Sequence, residues 1–421
     1  MRAPCPFIRV SALSVCMCGT ERAPSLLDEV TKRERWQEFL VHKKEKDDLS
    51  QKAVRELEDF ILGERYADIA KGISDGTYVF SVPVKRQINK TKAGKKRDVY
   101  TYAKDEMMVL KMLSYLMHGY DHLFSPNLYS FRSGRGVKKA LYDLKRIRGI
   151  DSMYGYKADI SNYFNSVDTD RLLGKLGGAL KDDRLHKLFA DLLSDRRAMF
   201  RNELIAEDKG VMAGMPLSAF LANFYLKEMD DLFFEKGVAY LRYADDIIVF
   251  AASPDELNVH KETINSFLEE NGLSVNGNKE FYYRPGDTFE YLGFSYTRGV
   301  IDLSENTVRK MKAKIRRASR SIRRWSHRKK ASEDASLKAM IKKFDLKFFG
   351  KEEGELSWKY WFFPSVNTDV GLREVDAYMQ ERLRYLVTGR YNKKNYDRVP
   401  YERLKECGYR PLVHEFHAGG K

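Results

Sequence analysis

The sequence predicts an α+β fold with its helices and strands segregated along the chain, and three observations predict it. Leu26 to Gly63 reads as helical, about Tyr154 to Gly299 alternates short strands with helices, and beyond Ser304 the chain turns basic and helical. At 421 residues it is roughly two to four times a common domain length, enough for sizeable cores and subdomains around a cleft. No internal repeat, low-complexity tract or long Pro/Gly/Ser linker interrupts it, so the parts should pack together.

Seventy-five Lys and Arg stand against 60 Asp and Glu, a formal charge of +15, which favours a polyanionic partner. No apolar run approaches the ~20 residues a membrane span needs, which favours nucleic acid over lipid. Of four cysteines, Cys5, Cys16 and Cys18 crowd the start and Cys407 is remote, so no second pair completes a zinc site. Met1 to Thr20 has a faint leader-like pattern that Arg9 interrupts; a disordered extension or an over-long start, and a reducing cytoplasmic location, are expected.

In the N-terminal helical region Val54, Leu57, Phe60 and Ile61 share a face, with Ser50 as the N-cap. Tyr78 to Val84 reads as a strand, followed by the basic turn Lys90 to Arg97 and a second strand from Asp98 to Tyr102. Such a basic hairpin could close over phosphates. Farther on, Ala239 to Phe250 places aromatic and β-branched residues on both sides of Asp245 and Asp246, a β-hairpin with acids at its turn. Adjacent acids alone could be a surface turn. Gly155 to Phe164 supplies a partner, another apparent strand ending on Asp159.

Three carboxylates at two strand ends can hold two divalent ions about 3.5–4 Å apart and clamp both oxygens of an in-line phosphoryl displacement. Oxygen donors without a His/Cys cluster favour Mg²⁺, or Mn²⁺, over zinc.

With these motifs in order from about Val84 to Phe294, the chain resembles the reverse transcriptases, and among them the bacterial retron, group II intron and defence-associated branch. Tyr243-Ala244-Asp245-Asp246 resembles their Y-x-D-D box and Asp159-Ile160 their first-aspartate motif. The resemblance implies a right-hand polymerase with an N-terminal extension and helices over 1–63, fingers over 64–150, an antiparallel palm over 151–303, and a helical thumb with an RNA-binding region over 304–421.

It implies metal ligation by Asp159, Asp245, Asp246 and the Ile160 carbonyl. It makes Phe164 the ring that would collide with a 2′-hydroxyl and so select dNTPs; a core Phe is the alternative. Gly210 to Ser218, then Leu221 to Leu226, resembles the glycine turn and helix that support template and nucleotide, with Gly214 allowing close approach and Asn223 near nucleic acid. Where relatives carry Pro-Gln before that glycine, this chain has Met212-Ala213, which puts the usual Gln contact in doubt.

Arg97 matches the fingers arginine on the triphosphate, with Lys85 and Lys95 as further candidates. Tyr129 to Gly136 resembles the Y-G-F-R-x-G-R stretch of the branch, which implies that Arg132 and Arg135 lie near template or nucleotide, with Arg132 as a nucleotide contact. Lys279 matches a general acid for pyrophosphate, and Phe289 to Phe294 a primer-grip hairpin, with Tyr243, Leu292 and Gly293 against the primer.

From Ser304 to Lys330, twelve of 27 residues are Lys or Arg, while Val308, Met311, Ile315, Ala318, Ile322 and Trp325 recur every three or four residues. The stripe packs inward and Arg309, Lys312, Arg316, Arg320 and Arg323 would meet nucleic-acid phosphates without reading sequence. Trp358 to Phe363 reads as core packing, while Arg382 to Tyr396 interleaves cations with aromatics that could stack on unpaired bases. The ending, Tyr401 to Phe416, resembles the tails of defence-associated enzymes.

The expected function is synthesis of cDNA from a structured non-coding RNA with dNTPs and two Mg²⁺, in anti-phage defence; self-association stays open. The alternatives are a retron enzyme or intron maturase without endonuclease, an RNA-dependent RNA polymerase that Phe164 argues against, and an RNA-binding protein on a dead polymerase scaffold. Retention of all three aspartates argues against the last.

Overall fold

The structure is a computed structural model that describes residues 25–46, 51–89, 96–350 and 357–419; Cys5, Cys16, Cys18, Ser50 and the basic turn 90–95 with Lys95 lie outside them. Its N-terminal helices are α1 (Arg33–Lys46) and α2 (Gln51–Leu62), which bury Trp36 and Phe39 against Leu57 and Phe60. The helix α3 (Lys104–Leu116) follows two antiparallel strands, β1 (Val84–Asn89) and β2 (Lys96–Thr101).

The first strand therefore begins where the sequence reading ended it. Tyr78, Phe80 and Val82 do point inward in alternation, but residues 78–82 pair with no strand among the described residues. The buried Glu106 carboxylate on α3 takes its place, accepting from Ser81 N at 2.7 Å and from the Tyr78 hydroxyl at 3.0 Å, and Pro83 has no amide to offer a ladder.

The central sheet runs β6-β7-β3-β8, all antiparallel: β3 (Tyr154–Asp159), β6 (Ala239–Tyr243), β7 (Asp246–Ala251) and β8 (Phe281–Tyr283). Period-2 alternation splits its two faces. Tyr156, Ala158, Ile247 and Val249 join one hydrophobic core; Leu241, Ile248 and Phe250 join the other. The helices α4 (Ser218–Tyr225), α5 (Lys227–Glu235) and α6 (Pro254–Glu270) pack into the first core.

The hairpin of β4 (Arg197–Phe200) and β5 (Glu203–Ala206) leaves the palm span and extends the first sheet to β2-β1-β4-β5, with Val84 parallel to Met199. A third sheet, β9 (Phe289–Tyr291), β10 (Phe294–Thr297) and β11 (Val300–Leu303), sits on the second core.

Helix α7 (Glu305–Lys329) starts where Ser304 Oγ accepts from Thr307 N at 3.2 Å. Its stripe buries Val308, Met311, Ile315 and Ala318 against α8 (Glu333–Phe348) and α9 (Val370–Thr388), while Trp325 emerges to 37% exposure. The whole is an α+β right hand, with the central sheet as palm and α7 to α9 as thumb. Among the described residues no helix is long and apolar enough to cross a membrane.

Candidate active site

In the β3–β7 pair Asp159 stands directly opposite Asp246, and Asp246 opposite Tyr243 in the β6–β7 hairpin. Strand alternation gives Lys157, Asp159, Asp246 and Ile248 a common face. Asp245 occupies the two-residue turn after Ala244, whose φ of +57° is strained for a residue with a Cβ. The Ile160 side chain is buried, and its amide donates to the Asp245 carbonyl at 2.9 Å, joining the two acid-bearing segments.

A buried polar network fixes that turn. Ala244 N donates to Ser130 Oγ at 2.9 Å, and Arg242, fully buried, donates through Nη1 to the Ala244 carbonyl at 3.1 Å. Arg242 also forks onto Asp230, with Nε on Oδ1 at 2.8 Å, where the Tyr240 hydroxyl donates at 3.0 Å. Burial opposes the guanidinium charge and Asp230 outweighs it, so Arg242 stays firmly protonated.

Asn223, expected at nucleic acid, belongs to this network instead: 1% exposed, it exchanges hydrogen bonds with Ser130 through Nδ2 (2.8 Å) and Oδ1 (3.0 Å). An amide so enclosed must spend its donors internally.

The carboxylates are crowded and partly buried. Asp246 Oδ1 is buried without a hydrogen-bond partner among the described residues, with the Lys157 ammonium 3.5 Å away. Burial, and then Asp245 and Asp159, push the Asp246 carboxyl up to about 7 despite Lys157. Burial and Asp159 raise Asp245 as well, while Lys279 and Arg97 pull the other way.

Lys279 Nζ donates to Asp159 Oδ2 at 2.5 Å. Among the described residues no group of three or more His, Cys, Asp or Glu could hold a metal ion as the side chains stand. The donor set is nevertheless all oxygen, holds one unsatisfied buried atom and is balanced by two ammonium groups, so these residues fit divalent ions that take over the lysine contacts.

Beside the acids, a cavity of 590 Å³ is lined by Arg97, Phe131, Arg132, Phe164 and Gly214. Phe164, half-buried, meets Tyr163 edge-on with ring centres 5.8 Å apart, and its carbonyl accepts from Val211 N at 2.9 Å. Gly214 has φ +107°, and a Cβ there would stand 2.9 Å from the Tyr100 carbonyl. The adjacent Ala213 carbonyl accepts from Tyr100 N at 2.8 Å, so the glycine turn is clamped to β2. Arg97 on β2 is exposed toward the cavity.

Two other expected nucleotide contacts are occupied elsewhere. Lys85 does not line the cavity; it is 12% exposed and ion-pairs with Glu207 and, at 3.3 Å, with Asp98. Arg132 lines it, but its guanidinium donates to the carbonyls of Ser125 (2.7 Å), Asp121 (2.8 Å) and Leu128 (3.2 Å), shaping the loop from within. Arg135 likewise donates to the Pro126 carbonyl at 2.6 Å.

The β9–β10 hairpin turns on Leu292 (φ +52°) and Gly293 (φ +90°), both in the left-handed region as a type I′ turn requires. The Gly293 carbonyl accepts from Ser304 N (3.0 Å) and Thr307 Oγ1 (2.8 Å), fastening this loop to the start of α7. Tyr243 is half-buried beside Asp246. Of the expected thumb row, the guanidinium groups of Arg316 and Arg320 have no hydrogen-bonding or ion-pair partner among the described residues, although the Arg316 carbonyl accepts from Ser319 Oγ at 3.0 Å. Lys312 pairs with Glu374 at 2.5 Å, Arg323 donates to the Leu386 carbonyl at 3.1 Å, and Arg309 donates to Asn306 Oδ1 at 3.1 Å.

Three residues escaped sequence reasoning: Lys157, whose strand position reads as solvent-facing; Ser130, which anchors the Ala244 amide; and Phe131, 52% exposed with φ +55° on the cavity wall. The left-handed Phe131 leaves no mark in the sequence beyond its place in the Tyr129–Gly136 stretch.

Residues 88–296 match the family model described as reverse transcriptase (RNA-dependent DNA polymerase). Among curated proteins, an uncharacterized 91 kDa protein in a cob intron of Schizosaccharomyces pombe is 26% identical over 151 residues, which are 35% of this chain and 18% of that protein's length. Among solved structures, apo telomerase from Candida tropicalis is 12% identical with TM-score 0.45, covering 80% of this chain and 68% of that one. Telomerase from Candida albicans in complex with a fragment of telomeric RNA is 12% identical with TM-score 0.41, covering 86% and 70%. With two strand-end acids set face to face and a family match over residues 88–296, just under half of the chain, that stretch is a reverse transcriptase domain, the nucleotidyltransferase module of RNA-directed DNA polymerases.

Proposed function

We propose that the protein copies a dedicated non-coding RNA into cDNA by two-metal phosphoryl transfer. The observation that carries the chemistry is the register of Asp159 against Asp246, with Asp245 in the adjoining turn. In this reading Asp159, Asp245 and Asp246 hold Mg²⁺. The bound ions would lower the pKa of the primer 3′-hydroxyl and neutralise charge on the leaving pyrophosphate.

Around them Arg97 binds the triphosphate, Phe164 excludes a 2′-hydroxyl, and Gly214 lets nucleotide approach the backbone. Lys279, released from Asp159, protonates the pyrophosphate, and the Leu292–Gly293 turn supports the primer end. A place in the retron, intron and defence-associated branch and a role in anti-phage defence rest on the resemblance of the Tyr129–Gly136 and Tyr401–Phe416 segments.

The test is primer extension with dNTPs on an RNA template. Asp245→Ala and Asp246→Ala should each abolish Mg²⁺-dependent incorporation while the circular dichroism spectrum and melting profile stay cooperative. Full incorporation by either variant rejects the mechanism and returns the chain to the RNA-binding alternative. Sequencing the RNA and DNA that copurify from cells identifies the template.

A further inference from the structure

The segment that follows α9 carries two tyrosines, Tyr391 and Tyr396, that no part of the polymerase site uses. Arg382 and Arg384 lie two positions apart on the helix, about 200° around its axis, and are 2% and 3% exposed. Arg382 donates through Nε to Ser319 Oγ on α7 at 2.8 Å, and Arg384 through Nε to the Val399 carbonyl at 3.0 Å. Each buried guanidinium backs aromatic rings. The Arg382 carbon stands 4.2 Å from the Tyr385 ring centre and 5.4 Å from that of Tyr391; Tyr385 and Tyr391 stack at 4.9 Å and 16°. Arg384 stands 4.2 Å over Tyr396.

Tyr391 and Tyr396 are nevertheless 55% and 59% exposed. Rings kept only for packing would bury their outer faces; these are held rigid from inside and left open outside. The intervening loop is fixed by its own hydrogen bonds, with Thr388 Oγ1 (3.1 Å) and Asn395 Nδ2 (2.7 Å) both donating to the Arg390 carbonyl. Between Gly389 and Tyr396 it carries Arg390, Lys393 and Lys394 and no acid, and these three cations have no ion-pair partner among the described residues.

We infer that this segment after α9 is a stacking platform for unpaired nucleic acid, with bases on Tyr391 and Tyr396 and phosphates on Arg390, Lys393 and Lys394. The choice of RNA as the strand rests on the proposed function; the platform itself rests on the rings and cations. It binds an unpaired segment of the template RNA outside the polymerase cleft and keeps that RNA on the enzyme.

The test uses the full chain and fluorescence anisotropy with a single-stranded RNA of roughly ten nucleotides, the same sequence as single-stranded DNA, and a blunt RNA duplex. Stacking is worth ~1–3 kcal/mol per base, so Tyr391→Ala/Tyr396→Ala should weaken single-stranded RNA binding at least tenfold and leave duplex binding within about twofold. Tyr391→Phe/Tyr396→Phe keeps both rings and should bind like the parent. Lys393→Glu/Lys394→Glu, exposed changes that do not threaten the fold, should weaken binding most at low salt.

Unchanged single-stranded RNA affinity in the alanine and glutamate variants overturns the platform, as does an equal loss on the duplex or a loss confined to single-stranded DNA. Primer extension on a short annealed template reports the polymerase reading separately, so either proposal can fail alone.

Discussion

Phe164 owes its position to backbone as much as to packing. Its carbonyl receives the Val211 amide, and a Cβ on Gly210 would collide with that same carbonyl, so the ring faces the cavity from a fixed main chain. Phe164→Val should therefore admit ribonucleotides without moving the site. In single-nucleotide incorporation assays the preference for dNTP over rNTP should fall at least tenfold, and unchanged selectivity would remove Phe164 as the gate. Asp246 carries a pH consequence. Its folded pKa of about 7 lies above the unfolded carboxylate value, so the folded metal-free protein binds the proton more tightly, and this residue's contribution to stability is lost as pH rises from about 4 through 7. Asp246→Asn removes the cost of the buried charge. It should stabilise the metal-free protein by about 2–4 kcal/mol at pH 8, at 1.36 kcal/mol per unit, and scarcely at all at pH 4, as read by urea unfolding. The acids were legible because each ends a β-branched or aromatic strand. Lys157, Asn223 and Arg132 were not, because sequence shows that a residue is polar and not whether its partner lies inside the protein or in the ligand.

The β6–β7 and β9–β10 hairpins share one construction. Each closes in two residues with a left-handed non-glycine residue, Ala244 or Leu292, and each has a backbone group tied down from elsewhere: Ala244 N and O by Ser130 and Arg242, Gly293 O by Ser304 and Thr307. Strain at such turns persists only where the surroundings impose it. Arg242→Met leaves Asp230 a buried carboxylate without its counter-ion. It should cost about 3–5 kcal/mol in chemical unfolding, against a near-neutral Arg316→Met on the exposed face of α7. A thermal midpoint for Arg242→Met equal to the parent's would show that the network does not hold the turn. The hairpins themselves were readable from alternation and turn residues. The β1 strand was misplaced because inward alternation from Tyr78 to Val82 is real, yet its hydrogen bonds go to the Glu106 side chain and not to a neighbouring strand.

Across the whole molecule the positive charge is distributed unevenly on the thumb. The expected row on α7 is partly spent on Glu374 and on carbonyls of α9, whereas the opposite flank forms a 340 Å³ groove with α8 lined by Lys314, Arg317, Lys343 and Lys347. Burial, together with Lys347, Arg317 and Lys310, depresses the Lys314 pKa, a crowding of like charges that a phosphate would relieve. Neutralising Lys314, Arg317 and Lys347 should lower the slope of log affinity against log salt for a primer–template duplex by about 1 per lost phosphate contact. An unchanged slope would assign duplex binding to other cations. Helical periodicity revealed that α7 is basic outside and apolar inside. It could not reveal which flank stays free, because that depends on where α8 and α9 come to rest.

The β4–β5 hairpin adds a constraint of connectivity. The polypeptide leaves the β1–β2 sheet through α3, returns to it at Arg197 and departs again after Ala206, so three covalent passages join fingers to palm, and Tyr100 is bonded to Ala213 between them. A body attached by one strap can swing like a door. One attached by three can only slide or twist within the slack of its connections. If the fingers close over a nucleotide as proposed, the motion should be a short shear that carries Arg97 and the glycine turn together and changes the volume above Phe164 little.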